Sequence, residues 1–191
     1  MKMVEVLLKS LDHYYSNKLK LKKLLDIIET NSKVSLRIID WFVTNYSKKH
    51  NIYYTIYEDF NGNYLFNDNG DSISSKQFNT YQSYKSQLKS FSKKKFDPFC
   101  RRQRIEFEYG NGGKVETTVG QLNFFKWAID NLIIEYILLH YSEIENDMNQ
   151  SYNQIKKHKK NSNERKKRQE LSKSASRGLN NTKLKVVISF N

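Results

Sequence analysis

The stretch IEFEYGNGGKVETTVGQLNFFKWAIDNLIIEYI, residues 105–137, changes its apolar period once, and that change decides the fold class. Ile105, Phe107 and Tyr109 alternate with Glu106 and Glu108, and Arg104 shares the charged face. A period of two is the mark of a half-buried strand. Gly110 to Gly113 turns the chain, and Val115, Thr117 and Val119 bring it back as a hairpin. Thr118-x-x-Gln121 then has the form of a capping box. Leu122, Phe125, Ile129, Leu132, Ile133, Tyr136 and Ile137 follow at helical spacing, and from 132 to 139 the helix is apolar nearly all round. A helix without a polar face belongs at the centre of a core.

Working outward, residues 3–29 repeat apolar positions at helical spacing from Val4 to Ile28, and Thr30-Asn31-Ser32 stops that helix. Ser35 is placed to cap a second one through Tyr46, with Lys48, Lys49 and His50 in its last turn, where the macrodipole favours cations. Ile52, Tyr54 and Ile56 alternate with Tyr53, Thr55 and Tyr57, which predicts a strand. Asn61-Gly62 turns it and Tyr64-Leu65-Phe66 returns. Residues 76–92 read as a helix with Phe78, Tyr81, Tyr84, Leu88 and Phe91 on one stripe, and Pro98 closes that region. The expected architecture is α+β: helices packed with two antiparallel hairpins, in a compact core over 1–153. From 154 to 183 the apolar rhythm is lost and a basic, flexible tail is expected. Residues 184–191, LKVVISFN, have strand character again.

The chain has 191 residues, 38% hydrophobic and 14% aromatic, enough for one core plus a tail. Its longest apolar run, Trp127 to Tyr141, is broken by Asp130, Asn131 and Glu135 and is too short to span a bilayer. The N-terminal apolar region carries Glu5 and Asp12 and does not read as a secretory signal. Cys100 is the single cysteine, so an internal disulfide is excluded, which fits a reducing compartment. No membrane association is expected.

The formal net charge is +13. Lysine greatly outnumbers arginine and asparagine is abundant, as AT-rich codon usage favours, but codon usage alone would spread the charge evenly. It is not even. Residues 85–104 hold eight Lys/Arg and one acid, Asp97, for +7. Residues 156–185 hold twelve Lys/Arg and two acids for +10, which leaves the rest of the chain at −4.

Concentrated cations suit phosphate binding, because each neutralised phosphate releases counterions irrespective of sequence. Lysine serves as a point charge there, while base readout favours bidentate side chains. The candidate contacts are Lys93, Lys94, Lys95, Arg101, Arg102 and Arg104 in the first run. In the tail they are Lys156, Lys157, Lys159, Lys160, Arg165, Lys166, Lys167, Arg168, Lys173 and Arg177. Phe96 and Phe99 interleave with the first run. They fit two roles equally: rings that stack single-stranded bases, or anchors that hold a loop to the core. Arg104 alternates with Glu106 and can instead enter a surface ion pair. Arg165 to Arg168 has the form of a nuclear-localisation patch, a form common in basic tails.

No catalytic residue, metal site or cofactor is expected. His13, His50, His140 and His158 are scattered, and with one cysteine there is no zinc-finger spacing. Neither a phosphate-binding glycine loop nor a nucleophile elbow is present. Asn67 to Asp71 lacks the spacing of a calcium loop. Cys100 and His140 are two lone residues and make no nucleophile–base pair by themselves.

Four stretches, SLRIIDWFVTNY (35–46), KSQLKSFSKKKFDPFCRRQRIEF (85–107), TTVGQLNFFKWAIDNLIIEYI (117–137) and RKKRQELSKSASRGLNNTKLKVVISFN (165–191), resemble an uncharacterised protein family of nucleocytoplasmic large DNA viruses, of the mimivirus and phycodnavirus kind. The resemblance implies a viral protein of the host cytoplasm, in the viral factory, or of the virion; the basic tetrad adds the nucleus. It brings no functional residues with it. Together the readings give a non-enzymatic nucleic-acid-binding protein for genome organisation or viral gene expression. The alternative is a virion structural or scaffold protein, a minor capsid or core component whose basic tail threads through viral partners.

Overall fold

The computed structural model describes residues 2–29, 32–59, 61–67, 75–110 and 112–160. The expectations for 161–191, among them the strand-like end and the contacts from Arg165 to Arg177, lie outside the described residues, as does most of the Asn67–Asp71 loop.

The architecture is α+β, as the two periods predict. The N-terminal periodic run is two helices, α1 (Lys2–Tyr15) and α2 (Lys18–Ile28), where the spacing alone predicts one. Asn17 makes the break: its side-chain oxygen accepts the Leu19 and Lys20 backbone N–H groups and starts α2 afresh. α3 (Leu36–Trp41) is capped by Ser35, as predicted, and runs through a π-helical turn (Phe42–Tyr46) into α4 (Ser47–Lys49). In the turn and at the residue after it, the Thr44 and Ser47 hydroxyls bond back to the carbonyls of Asp40 and Val43, the contact that loosens a helical ladder.

β1 (Tyr53–Glu58), β2 (Tyr64–Asn67) and β3 (Ser75–Asn79) form an antiparallel sheet in the order β2-β1-β3. β3 corrects the expectation of helix from residue 76. Phe78 lies opposite Tyr54 and is 4% exposed, so pairing with a strand far back in the chain overrides the local helical stripe. The helix α5 (Thr80–Phe91) starts only after Asn79, whose side chain accepts the Gln82 N–H at 2.9 Å. β4 (Ile105–Tyr109) and β5 (Gly113–Thr117) make the predicted second hairpin, with Phe107 opposite Val115.

The central helix is present but divided, and the apolar stretch expected to be buried to 139 emerges at its end, with Leu138 and Leu139 exposed. α6 (Val119–Asp130) is buried along nearly its whole length, and α7 (Ile133–Leu139) follows a break at Asn131 and Leu132. Leu132 sits at φ 55°, a left-handed conformation rare for leucine. Tyr54 holds the break by donating its hydroxyl to the Asn131 carbonyl at 2.6 Å. α8 (Tyr141–Lys160) continues past Gln154, so the first residues read as tail extend a helix. None of the described helices is long and apolar enough to cross a membrane.

α1 and α2 pack on α6, and α3 packs on α8. Two polar contacts close these layers over long chain separations. The buried Tyr15 hydroxyl donates to the Leu122 carbonyl at 2.8 Å, and the Trp41 indole N–H donates to Asp147 at 3.0 Å.

Candidate nucleic-acid interface

The first basic run leaves α5, crosses the N-terminus of α6 and enters β4. Its middle is pinned to the core. The Asp97 N–H donates to the Gly120 carbonyl at 3.2 Å. Asn123 donates its side-chain amide to the Lys95 carbonyl at 2.8 Å, and Gln121 donates to the Pro98 carbonyl at 2.9 Å. That use of Gln121 alters the predicted capping box. Thr118 does accept the Gln121 N–H, but the glutamine side chain turns to Pro98 and to the Thr117 hydroxyl. Gly120 permits the close crossing, since a Cβ there would lie 3.2 Å from the Lys94 carbonyl oxygen and 3.3 Å from the Phe96 nitrogen.

This pinning decides between the two roles for Phe96. Phe96 is 1% exposed, with Tyr84, Phe124 and Trp127 around it at 5.1–6.0 Å between centroids. It is an anchor and leaves the group of candidate nucleic-acid contacts. Phe99 is half-buried and lies 4.5 Å under the Arg101 guanidinium. Arg101 also pairs with buried Asp97, Nη2 to Oδ1 at 2.8 Å and Nε to Oδ2 at 3.2 Å. Asp97 further accepts the Phe99 N–H at 3.0 Å, so the arginine closes an internal turn. Arg104 pairs across the hairpin with Glu116 at 2.6 Å, the surface ion pair its alternation suggests.

Four cations of the run remain. Lys85, Lys89 and Lys94 are exposed, Arg102 is half-buried, and none of them has an ion pair among the described residues. Lys93 and Lys95 are half-buried and each makes an interaction within the fold. The helix places Lys85 and Lys89 one turn apart on its outer face, beside Gln82, Ser86 and Ser90. Lys85 and Lys89 count in the charge run, but the run by itself does not single them out. Their i, i+4 spacing, opposite the buried Tyr84 stripe, is the signal that marks them. Lys156, Lys157, Lys159 and Lys160 lie on the last turns of α8.

Several cations elsewhere are neutralised by neighbouring acids. An open groove of about 1150 Å³ separates α2, the outer end of the three-stranded sheet and the α6–α7 junction. Its rim pairs Lys20 with Asp130 and Lys23 with Glu135, so it presents no net field to an anion. Lys49 pairs with Asp147, and Lys114 with Glu106 and Glu108. Cys100 and His140 occupy different surroundings. Burial pushes the Cys100 thiol upward, with Arg104 and Glu116 as its charged neighbours, whereas His140 stacks on Tyr136 and faces Glu143. A raised thiol is a poorer nucleophile at neutral pH.

The chain matches, over residues 1–191, the model of a family described as Family of unknown function (DUF7197). It is similar to Uncharacterized protein L507 of Acanthamoeba polyphaga mimivirus, 42% identical over 144 residues, which cover 73% of this chain and 51% of that protein. The chain thus spans about half the length of the curated relative it matches. No solved structure matches it. These findings bear out the giant-virus likeness carried by the four quoted stretches: the chain belongs to DUF7197, an uncharacterised family with a giant-virus relative.

Proposed function

We propose that this viral protein is a non-enzymatic nucleic-acid-binding protein that grips the phosphate backbone, without reading sequence, through the outer face of α5 and the turn after it. One observation carries the reading. Asp97 is the only acid between residues 80 and 104, and Arg101 consumes it, so Lys85, Lys89, Lys94 and Arg102 have no local counter-charge. Lys85 and Lys89 sit one turn apart on α5 and the other two follow in the loop after it, and uncompensated cations attract a polyanion through counterion release. The basic residues beyond α8 extend the same field along the sequence.

The test is charge reversal at Lys85, Lys89 and Lys94 together, followed by fluorescence anisotropy on duplex DNA across a salt series. The dependence of log K on log salt is expected to flatten by about 0.9 for each phosphate that the variant no longer neutralises. Exposed cations contribute little to folding, so the stability is expected to stay within about 0.5 kcal/mol of wild type. Unchanged affinity and slope in a folded triple variant would discard this interface and transfer the role to the virion-scaffold alternative.

A further inference from the structure

We infer that this surface selects single-stranded nucleic acid, with phosphates along the α5 lysines and a base stacked on Tyr53. The inference rests on the phosphate-binding role proposed above and adds the strand class.

Tyr53 opens β1 and is 62% exposed, and neither its ring nor its hydroxyl has a partner among the described residues. Its cross-strand neighbour is Asn79, the residue that caps α5, so Tyr53 stands where the sheet hands over to the helix. From there Tyr81, Lys85 and Lys89 recur every fourth residue along α5, each step rising about 6 Å. Lys48 reaches across from α4, with its ammonium 5.7 Å from the centre of the Tyr81 ring. Tyr81 with its cation, Lys85 and Lys89 thus follow one another along α5, and Tyr53 adjoins the start of that row through its pairing with Asn79. No Asp or Glu occurs in residues 47–57 or 80–96, which supply these residues. The adjacent Lys49 is neutralised by Asp147, and Lys48 has no ion pair among the described residues.

The chemistry favours unpaired bases. In a duplex the base faces are already stacked on one another, and only edges show in the grooves. A flat, exposed ring therefore gains nothing from a duplex beyond what the lysines supply. A splayed base offers a whole π-face to Tyr53 while its phosphates reach the cations, the combination that binds single strands without sequence preference. A free tyrosine at the end of a cationic track, with no internal partner to explain it, matches that pattern.

The full-length chain is titrated by anisotropy with three probes: labelled oligo-dT, a duplex of equal length, and heparin as a polyanion without bases. Wild type is expected to bind oligo-dT more tightly than the duplex. Tyr53→Ala is expected to weaken oligo-dT at least about fivefold, the low end for loss of one base–ring stack, and to leave duplex and heparin unchanged. Tyr53→Phe is expected to restore oligo-dT binding, and Lys85→Gln with Lys89→Gln to weaken all three. Photo-crosslinking of a 5-iodouracil strand to wild-type protein is expected to label Tyr53 or Tyr81, which reads the ring position even if a variant folds poorly. Equal wild-type affinity for oligo-dT and duplex, an inert Tyr53→Ala, or crosslinks only elsewhere would overturn the inference and leave phosphate binding standing. Failure to bind any of the three probes would remove both.

Discussion

Phe96→Ala removes a ring that is 1% exposed and enclosed by Tyr84, Phe124 and Trp127. A buried phenylalanine covers about 150–250 Å². At about 25 cal/mol per Å² that is about 4–6 kcal/mol of transfer free energy. Alanine keeps part of it through Cβ, and the aromatic neighbours, braced by one another, collapse only partly into the void. A loss of about 3–5 kcal/mol follows, a large share of the roughly 5–15 kcal/mol available to a domain. At about 2–4 °C per kcal/mol for a chain of this size, the melting temperature falls by about 6–20 °C. Denaturant unfolding followed by circular dichroism measures the free energy, and anisotropy on oligo-dT, run well below the new melting point, measures binding. Affinity is expected to remain within about twofold once the folded fraction is accounted for. A variant that melts within about 1 kcal/mol of wild type while losing its affinity would refute the reasoning, because only an outward-facing ring behaves that way.

Arg101→Ala takes the guanidinium from a buried carboxylate and leaves Asp97 with the Phe99 N–H alone. The arginine is itself 28% exposed, so water recovers part of the pairing, and a loss of about 1–3 kcal/mol in denaturant titration is expected, with DNA affinity unchanged. Lost affinity at an unchanged midpoint would return Arg101 to the interface. Alkaline stability is the other expectation. Burial, followed by the hydrogen bond to Asp130, raises the pKa of Tyr14, and burial followed by the Asp130 charge raises that of Tyr15. A group whose folded pKa is raised stabilises fully below its unfolded pKa, so this stability is lost as pH climbs past about 10. Tyr14→Phe is expected to flatten that decline in melting temperature, and an unchanged slope would show that Tyr14 does not drive it.

The features readable in the sequence are those decided within a few residues. Ser35 and Thr118 cap the helices they precede, and Asn61-Gly62 and Gly110–Gly113 turn their hairpins. The α6–α7 break is different, because the group that holds it, the Tyr54 hydroxyl, arrives from 77 residues away. β3 is illegible for a similar reason. Phe78 fits a helical stripe as well as a strand until Tyr54 is beside it. The candidate site divides along the same line. The excess of cations over 85–104 is plain in the sequence, and so is the one acid among them. Which cation takes that acid, and which phenylalanine turns inward, depends on how α6 receives the loop, through Gly120, Gln121 and Asn123. The break at Asn17 is the exception: its signal is local, but an apolar spacing continuing through it conceals the cap.

The long-range contacts of Tyr15 and Trp41 also set a clock. During synthesis the partner of Tyr15, Leu122, is made 107 residues later, and that of Trp41, Asp147, 106 residues later. At about 5–20 residues per second, each side chain waits about 5–20 s for its partner to exist. From the completion of α4 until α6 emerges, and for α3 until α8 follows, Leu11, Leu24 and Ile39, each fully buried in the finished fold, lack their final cover. Translation speed through residues 105–150 therefore governs how long a nascent chain displays these apolar faces to chaperones or to other nascent chains. A slow stretch of codons there would prolong that exposure without altering any interaction of the finished protein.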